Sequence, residues 1–279
     1  DSSLRLVGSE MCIRDSTDVE SEKLRSRIAA ISGLGPRRLS REGIARVDVR
    51  RWRRLEASAS DAMTAVSVCS AEEAARFCGR TWVVPNAAID PGPAPTIDQR
   101  LRDRLHFVGS LRDAPNLEGL EHFAEFVLPR VRRRHPSCQL RVVGAGLSPD
   151  HWLHRAPGVD VAGRVDDISA ELWRAAALVV PVAWGGGTRV KVVEAFAHRT
   201  PVVSTAIGAA GLGVRHEHEA LLADGAPTFA EACCRLLEAP ELGERLSAAG
   251  RELFTRHFDS QLVVEALAAR IRGVLAHPA

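Results

Sequence analysis

A regular alternation of apolar runs and helical segments constrains the fold of this chain more than any other feature. The apolar runs lie at 105–108, 139–143, 159–162, 177–182, 201–204 and 220–223. Helical segments are predicted between and after them at 117–134, 149–154, 168–175, 188–198 and 227–237, followed by helices at 241–257 and 260–276. Runs that are apolar throughout are typical of strands covered on both faces. The pattern predicts an α/β fold with a doubly wound parallel sheet.

The residues before this sheet predict a partial second α/β domain. Helices are expected from 17 to about 59, and short strands at 62–67 and 81–84. The second helix carries apolar side chains that are available for burial, namely Ile44, Val47, Trp52 and Leu55. Three prolines and a glycine in 89–103 favour an extended linker. We therefore divide the chain into 17–88, a linker at 89–103, a main domain at 104–257 and a final helical segment at 258–279.

The first residues stand apart from this division. The sequence of residues 1–16, DSSLRLVGSEMCIRDS, has no clear helical or strand period and resembles a translated sequencing adapter. We treat it as a non-native leader. On this interpretation the natural protein extends further upstream, and the chain is a fragment.

The composition and charge of the chain limit the kinds of molecule that we expect it to bind. The chain is 46% hydrophobic and 26% charged with a formal net charge of +2, which argues against nucleic acid as the main partner. The basic cluster at 130–134 is interpreted as a solvated helix end, where cations complement the helix dipole. A patch for a membrane or an acidic partner is the alternative.

Six cysteines lack the spacing of a metal site and are expected to be free thiols in a reducing compartment. No apolar run reaches the length of a membrane span, and no signal peptide is evident. We expect a cytoplasmic protein, with peripheral membrane contact left open.

Glycines follow the predicted strands of the main domain. They occur at Gly109, Gly144, Gly163 and 185–187. Ligands of doubly wound sheets bind outside the carboxyl ends of the strands, where glycine permits close backbone approach. The Gly144 loop does not complete a dinucleotide fingerprint, because Pro149 stands where its third glycine would fall.

The segment WGGGTRVKVVEA at 184–195 is the strongest site signal. Three glycines precede a helix whose free N–H groups suit a diphosphate, and Arg189 and Lys191 add positive charge. Glu194 lies one turn further and is placed to accept hydrogen bonds from ribose hydroxyls. The alternative is an exposed Lys191–Glu194 helix pair. The chain has only one other lysine, Lys23, which favours the functional interpretation.

The motifs together resemble a known family. HFVGSLRDAPNLEGLEHFAEFVLPRVRRRHP, RVVGAG, AGRVDDI and VVPVAWGGGTRVKVVEAFAHRTPVVSTAIGAAGL follow the order of the carboxyl-terminal domain of GT-B glycosyltransferases, in particular the large retaining family four. The segment 17–88 resembles the end of the amino-terminal, acceptor-binding domain. The last helix resembles the one that returns to that domain.

This resemblance implies a nucleotide-diphosphate-sugar donor, transfer with retention of configuration, and no metal or other cofactor. It assigns Arg189 and Lys191 to stabilising the leaving diphosphate. The implied donor-binding residues are Gly109, Ser110, Asn116, Gly144, Arg164, Val165, Gly185, Gly186, Gly187, Thr188 and Glu194. Two departures affect the pattern: Gly186 replaces the first glutamate of the family's Glu-x7-Glu motif, and Ser110 and Asn116 stand where many members carry cations.

Other functions stay open from the sequence. A nucleotide-sugar 2-epimerase would require acidic and histidine groups around the sugar, and a non-catalytic nucleotide-sugar-binding fragment would require no chemistry. The sugar, the base, the acceptor (a glycan, a lipid or a small molecule) and the oligomeric state are not specified.

Overall fold

The computed structural model describes residues 13–16, 20–31, 39–63, 65–77, 79–93 and 101–276 of the 279-residue chain. This part of the chain divides into two compact units. The first comprises the described residues up to Asn86, with Trp184–Thr188 and Ala210–Leu212. The second comprises Ala87–Ala183, Arg189–Ala209 and the described residues from Gly213 onward. Each unit has its own parallel sheet.

The first unit contains a three-stranded sheet in the order β1-β2-β3, formed by Ile13–Ser16, Ala65–Val68 and Thr81–Val83. The helices α1 (Glu20–Ile31), α2 (Leu39–Ala62) and α3 (Ala71–Ala74) accompany it. The central strand β2 is buried along its whole length. The predicted strand at 62–67 thus exists, three residues later at its start, because the helix before it continues to Ala62.

Two features of this unit were not predicted from the sequence. Residues 13–16, placed in the leader, form strand β1 and pair in parallel with β2. An open strand edge offers unpaired N–H and C=O groups to any extended segment, whatever its side-chain period. In α2, Val47, Trp52 and Leu55 are 62%, 36% and 49% exposed. A 24-residue helix is about 36 Å long, whereas strands of three or four residues span only about 13 Å and cannot cover it.

The second unit is a six-stranded parallel sheet in the order β6-β5-β4-β7-β8-β9. Its strands are β4 (Leu101–Val108), β5 (Gln139–Val143), β6 (Val159–Gly163), β7 (Ala175–Val180), β8 (Val202–Ser204) and β9 (Leu221–Leu222). The strand residues of β7 and β8 are almost all buried, as a sheet covered on both faces requires. The predicted doubly wound α/β fold is confirmed.

Helices connect these strands. They are α4 (Ala114–His122), α5 (Leu128–Arg134), α6 (Ile168–Arg174), α7 (Val190–Ala197), α8 (Ala226–Glu238), α9 (Pro240–His257) and α10 (Ser260–Ala276). A short 3₁₀ helix at Trp152–Arg155 replaces the predicted helix at 149–154. The core gathers apolar side chains of β4, β5 and β7 with those of α4, α5 and α8, including Phe107, Phe123 and Phe229.

The long helix predicted at 117–134 is longer and irregular. It begins at Ala114, because Pro115 fits the first turn, where no N–H is needed. Between α4 and α5 the residues Phe123–Val127 form a π-helical turn, in which the Leu128 N–H bonds to the Phe123 carbonyl five residues back. Pro129 has no N–H for the carbonyl of Glu125, which favours such a local widening.

Four cysteines lie in the described part of the chain, and all four are free thiols and buried. Burial raises the pKa of Cys138 to about 12. Within the described residues, no helix is both long and apolar enough to cross a membrane.

Candidate functional site

The strand order of the second unit contains a reversal point. From β4 the chain proceeds to β5 and β6 on one side, and from β7 to β8 and β9 on the other. Strands β4 and β7 are neighbours, so the loops that follow them leave in opposite directions. Ligands of doubly wound sheets bind in the crevice that this divergence opens at the carboxyl ends of the strands. The loop after β4 and the segment leading to α7 meet this condition.

Glycines hold the starts of three loops close together at this edge. The Gly109 N–H donates to the Val143 carbonyl at 3.0 Å, and the Gly144 N–H donates to the Gly163 carbonyl at 2.8 Å. A Cβ atom at Gly144 would lie 1.8 Å from the Gly109 carbonyl oxygen, which no side chain tolerates. The Gly144 position therefore requires glycine for close packing of two loop backbones.

Lys191 lies against the end of β4 and the loop that follows it. Its Nζ donates a hydrogen bond to Asn116 Oδ1 at 2.8 Å, and Asn116 Nδ2 in turn donates to the Ser110 carbonyl at 2.9 Å. The ammonium also sits 4.6 Å from the centre of the Phe107 ring. A Cβ at Gly109 would come within 2.6 Å of Nζ. The glycine thus leaves the space that the lysine head occupies.

The electrostatic environment of Lys191 is unusual. Burial, and next the nearby Arg189 guanidinium, lower the pKa of Lys191 from 10.5 to about 7. The carboxylates of Asp113 and Glu194 act in the opposite direction but do not compensate. Burial makes the charged form of Lys191 unfavourable, so an anion that enters the crevice stabilises it.

Glu194 lies on the same helix, three residues after Lys191. It is half-buried, and burial raises the pKa of its carboxyl group, against the lowering effect of Lys191. Among the described residues, none donates a hydrogen bond to this carboxylate. The backbone carbonyl of Glu194 is engaged, since the backbone N–H of His198 donates to it at 3.0 Å and His198 Nδ1 lies 2.7 Å away. The helix end is thereby fixed while the carboxylate stays available.

The triple-glycine segment groups with the first unit. The N–H of Gly185 donates to Ser26 Oγ at 3.1 Å, and Asn86 Nδ2 donates to Thr188 Oγ1 at 2.8 Å. Gly187 has a φ of 69°, which glycine adopts without strain. Arg189, the next residue, is the N-cap of α7 and is half-buried. The segment 185–188 therefore leads directly into the helix that carries Lys191 and Glu194.

The remaining predicted residues lie on the loop after β6. Arg164 is exposed and Val165 half-buried, and no hydrogen bond joins either to the Lys191 cluster within the described part of the chain. Asp167, on the same loop, caps α6: its carboxylate accepts a hydrogen bond from the Ser169 N–H at 2.9 Å. The structure thus brings together Gly109, Ser110, Asn116, Gly144 and Lys191, with Arg189 and Glu194 near them.

Two neighbours of Lys191 escaped the sequence interpretation. Phe107 is fully buried in β4, within the apolar run 105–108, and its ring contacts the ammonium. Asp113 is the N-cap residue of α4 and influences Lys191 by charge alone. In the sequence, only their closeness to Gly109 indicated that these two residues lie near the site.

Comparison with known proteins agrees with this geometry. The family model described as Glycosyl transferases group 1 matches residues 102–239. The glycogen synthase of Mycobacterium tuberculosis is 33% identical over 160 residues, covering 53% of this chain and 38% of the synthase. The matched region thus spans well under half the length of that relative.

Solved structures share the fold. Sucrose-phosphate synthase from Thermosynechococcus elongatus superposes with a TM-score of 0.75 at 19% identity, covering 98% of this chain and 70% of the synthase. Anabaena HepE, solved in complex with UDP and glucose, gives 0.66 at 16% identity and covers 80% of this chain and 67% of its own. Such identities show the fold alone, which is that of GT-B glycosyltransferases. Residues 102–239 of the chain thus form a Glycosyl transferases group 1 domain.

Proposed function

We propose that residues 104–257 form the donor-binding domain of a retaining glycosyltransferase, and that the crevice around Lys191 holds the diphosphate of a nucleotide-diphosphate sugar. The observation that carries the proposal is the Lys191 ammonium, enclosed at the reversal point of the sheet and poorly compensated by carboxylates. A diphosphate supplies the missing negative charge. The likeness to HepE, which was solved with UDP and glucose, supports the same ligand class.

Charge development explains why two cations are needed. In transfer, the bond between the anomeric carbon and the diphosphate oxygen breaks, and the diphosphate leaves with the electron pair. The acceptor hydroxyl bonds to the anomeric carbon on the same face of the sugar, and its proton passes to an oxygen of the leaving diphosphate. Arg189 and Lys191 offset the charge that builds on the leaving oxygens, which is the largest electrostatic requirement of the step. The proposal uses these side chains and no metal ion.

The other groups position the donor. Glu194, whose carboxylate has no hydrogen-bond donor among the described residues, accepts hydrogen bonds from ribose hydroxyls. The backbone of Gly109, Ser110 and Gly144 approaches the diphosphate closely, and Asn116 holds the Lys191 head in place. Arg164 and Val165 contact the base. The segment 185–188 leads into α7, and the first turn of that helix supplies free N–H groups to the phosphates.

Thermal unfolding in the presence of UDP, GDP, ADP and their glucose conjugates tests the proposal. A ligand that binds only the folded state stabilises it by about 2.7 kcal/mol at a hundred times its dissociation constant. We expect a shift with one base, lost in Lys191→Ala and Glu194→Ala and retained in Arg174→Ala, which removes an exposed cation of α6. A shift that survives both site variants would refute the assignment. Binding without turnover, even in a chain extended upstream, would favour a binding module over an enzyme.

A further inference from the structure

A basic groove lies on the second unit, away from the Lys191 crevice. Its volume is about 570 Å³, within the range of small-molecule sites. One wall is the last turn of α5 and the other is the 3₁₀ helix Trp152–Arg155 with the residues after it. Three arginines and a tryptophan line it, and alanine and proline complete the surface.

The groove and the crevice occupy opposite edges of the sheet. Helix α5 ends at Arg134, shortly before β5 begins at Gln139, and the 3₁₀ helix ends at Arg155, shortly before β6 begins at Val159. Both walls therefore lead into the amino ends of strands. Lys191 contacts Gly109, which follows the carboxyl end of β4. One small ligand cannot occupy both places, because the strands between them are about 17 Å long.

The arginines of the groove differ from their neighbour. Arg134 is neutralised by Glu231 and Glu238, each at 2.6 Å. Within the described part of the chain, the side chains of Arg132 and Arg133 form no ion pair or hydrogen bond, and the groove lining contains no acidic residue. Among the described residues, the Arg155 side chain donates only to the Asp150 backbone carbonyl, at 3.4 Å. Three arginines thus line one recess, and no acidic side chain is among its lining residues.

The backbone makes room for one of them. Gly158 has a φ of 80°, and a Cβ added there would lie 1.7 Å from Arg132 Nη1. The Arg132 guanidinium therefore lies flat against the chain just before β6, where only glycine leaves space. This position is built into the fold, unlike that of an arginine that extends freely from a helix end.

Trp152 supplies a second recognition element. Its side chain is 40% exposed, although a tryptophan of its size is usually more buried. Its Nε1 points to Glu121 Oε1 at 3.4 Å, which orients the ring. Guanidinium forks match phosphate oxygens, and an exposed indole face packs against the C–H face of a sugar ring. We propose that this groove binds a phosphorylated sugar, separately from the donor crevice.

Titration calorimetry of the full chain with glucose 1-phosphate, glucose 6-phosphate, glucose and inorganic phosphate tests this inference. We expect a sugar phosphate to bind, glucose not to bind, and inorganic phosphate to bind more weakly. The double variant Arg132→Gln/Arg133→Gln should weaken binding at least about tenfold, since each charge-assisted contact contributes about that factor. Trp152→Ala should weaken the sugar phosphate but not inorganic phosphate. Arg256→Gln, an exposed arginine of α9, is the matched control.

The Lys191→Ala variant separates this site from the donor crevice. It should lose UDP binding, if the proposed function is right, yet retain sugar-phosphate binding in the groove. Loss of sugar-phosphate binding in Lys191→Ala, or its persistence in the double arginine variant, would overturn the inference. So would absence of binding by both sugar phosphates in a chain with wild-type thermal stability. A further outcome is a wild-type chain that binds no sugar phosphate but binds vesicles containing phosphatidylglycerol, with the vesicle binding lost in the double variant. That result would overturn the inference and identify the ligand of the groove as a lipid surface.

Discussion

The Lys191→Met substitution tests whether the crevice holds a charge at the expense of stability. The pKa of Lys191 is lowered from 10.5 to about 7, chiefly by burial and then by Arg189. In the unfolded chain the lysine keeps its proton up to its ordinary pKa, whereas the folded chain releases it above about pH 7. The unfolded state therefore binds more protons between these values, and stability from this group rises with pH.

The magnitude follows from the two pKa values. At about pH 6 the proton linkage costs the folded state about 5 kcal/mol, and at about pH 9 it costs about 2 kcal/mol. Methionine has no such cost, but it loses the hydrogen bond to Asn116 and, at a pH where the ammonium is charged, the contact with Phe107; together these contribute up to about 2 kcal/mol. We expect Lys191→Met to be more stable than the wild type near pH 6, and the two to converge near pH 9.

Urea unfolding across this pH range measures the difference, and other titrating groups cancel because both proteins share them. Arg174→Met is the control, since it removes an exposed cation of α6. With only two lysines in the chain, ¹³C-methyl labelling and NMR give the Lys191 pKa directly, the Met variant assigning its signal. A constant stability difference between wild type and Lys191→Met from pH 6 to pH 9 would refute the reasoning.

Three further perturbations test the packing and charge of the second unit. Gly144→Ala should lower stability by more than about 2 kcal/mol in denaturant unfolding, because its Cβ meets a backbone oxygen at 1.8 Å; Gly163→Ala, with open space around it, should cost only about 1 kcal/mol for its positive φ. Asn116→Asp should raise the pKa of Lys191 in the NMR titration and still weaken nucleotide-diphosphate binding about tenfold, since the new carboxylate repels the phosphates; tighter binding would contradict this. Glu171→Gln should destabilise the chain by about 2 kcal/mol at neutral pH. Arg141 of β5 holds the pKa of the Glu171 carboxyl below its ordinary value of 4.5. The stabilisation by this pair is therefore present above that value and lost in acid. An equal loss of stability in Glu171→Gln near pH 3 would contradict this expectation.

The sequence alone determined the architecture of the second unit. Continuous apolar runs and helical periodicity are properties of adjacent residues, and they suffice to predict a parallel α/β sheet and most of its elements. The glycines after the strands located the edge at which Gly109 and Gly144 meet. Local rules failed where neighbours in space decide: β1 forms because β2 offers an open edge, and the apolar residues of α2 stay exposed because the sheet beside it is short.

The tertiary structure alone decided which charges are compensated. In sequence, Arg132, Arg133 and Arg134 are equivalent members of one basic run, yet only the last pairs with glutamates about a hundred residues away. Likewise, Lys191 has Glu194 on its own helix, but its hydrogen bond goes to Asn116, seventy-five residues earlier. Desolvation and ion pairing depend on what the fold packs around a group, and residues distant along the chain supply most of that surrounding. The hydrophobic periodicity of the sequence therefore predicts where the strands end, and only tertiary packing determines which charged side chains there have no ion-pair partner and are available to a ligand.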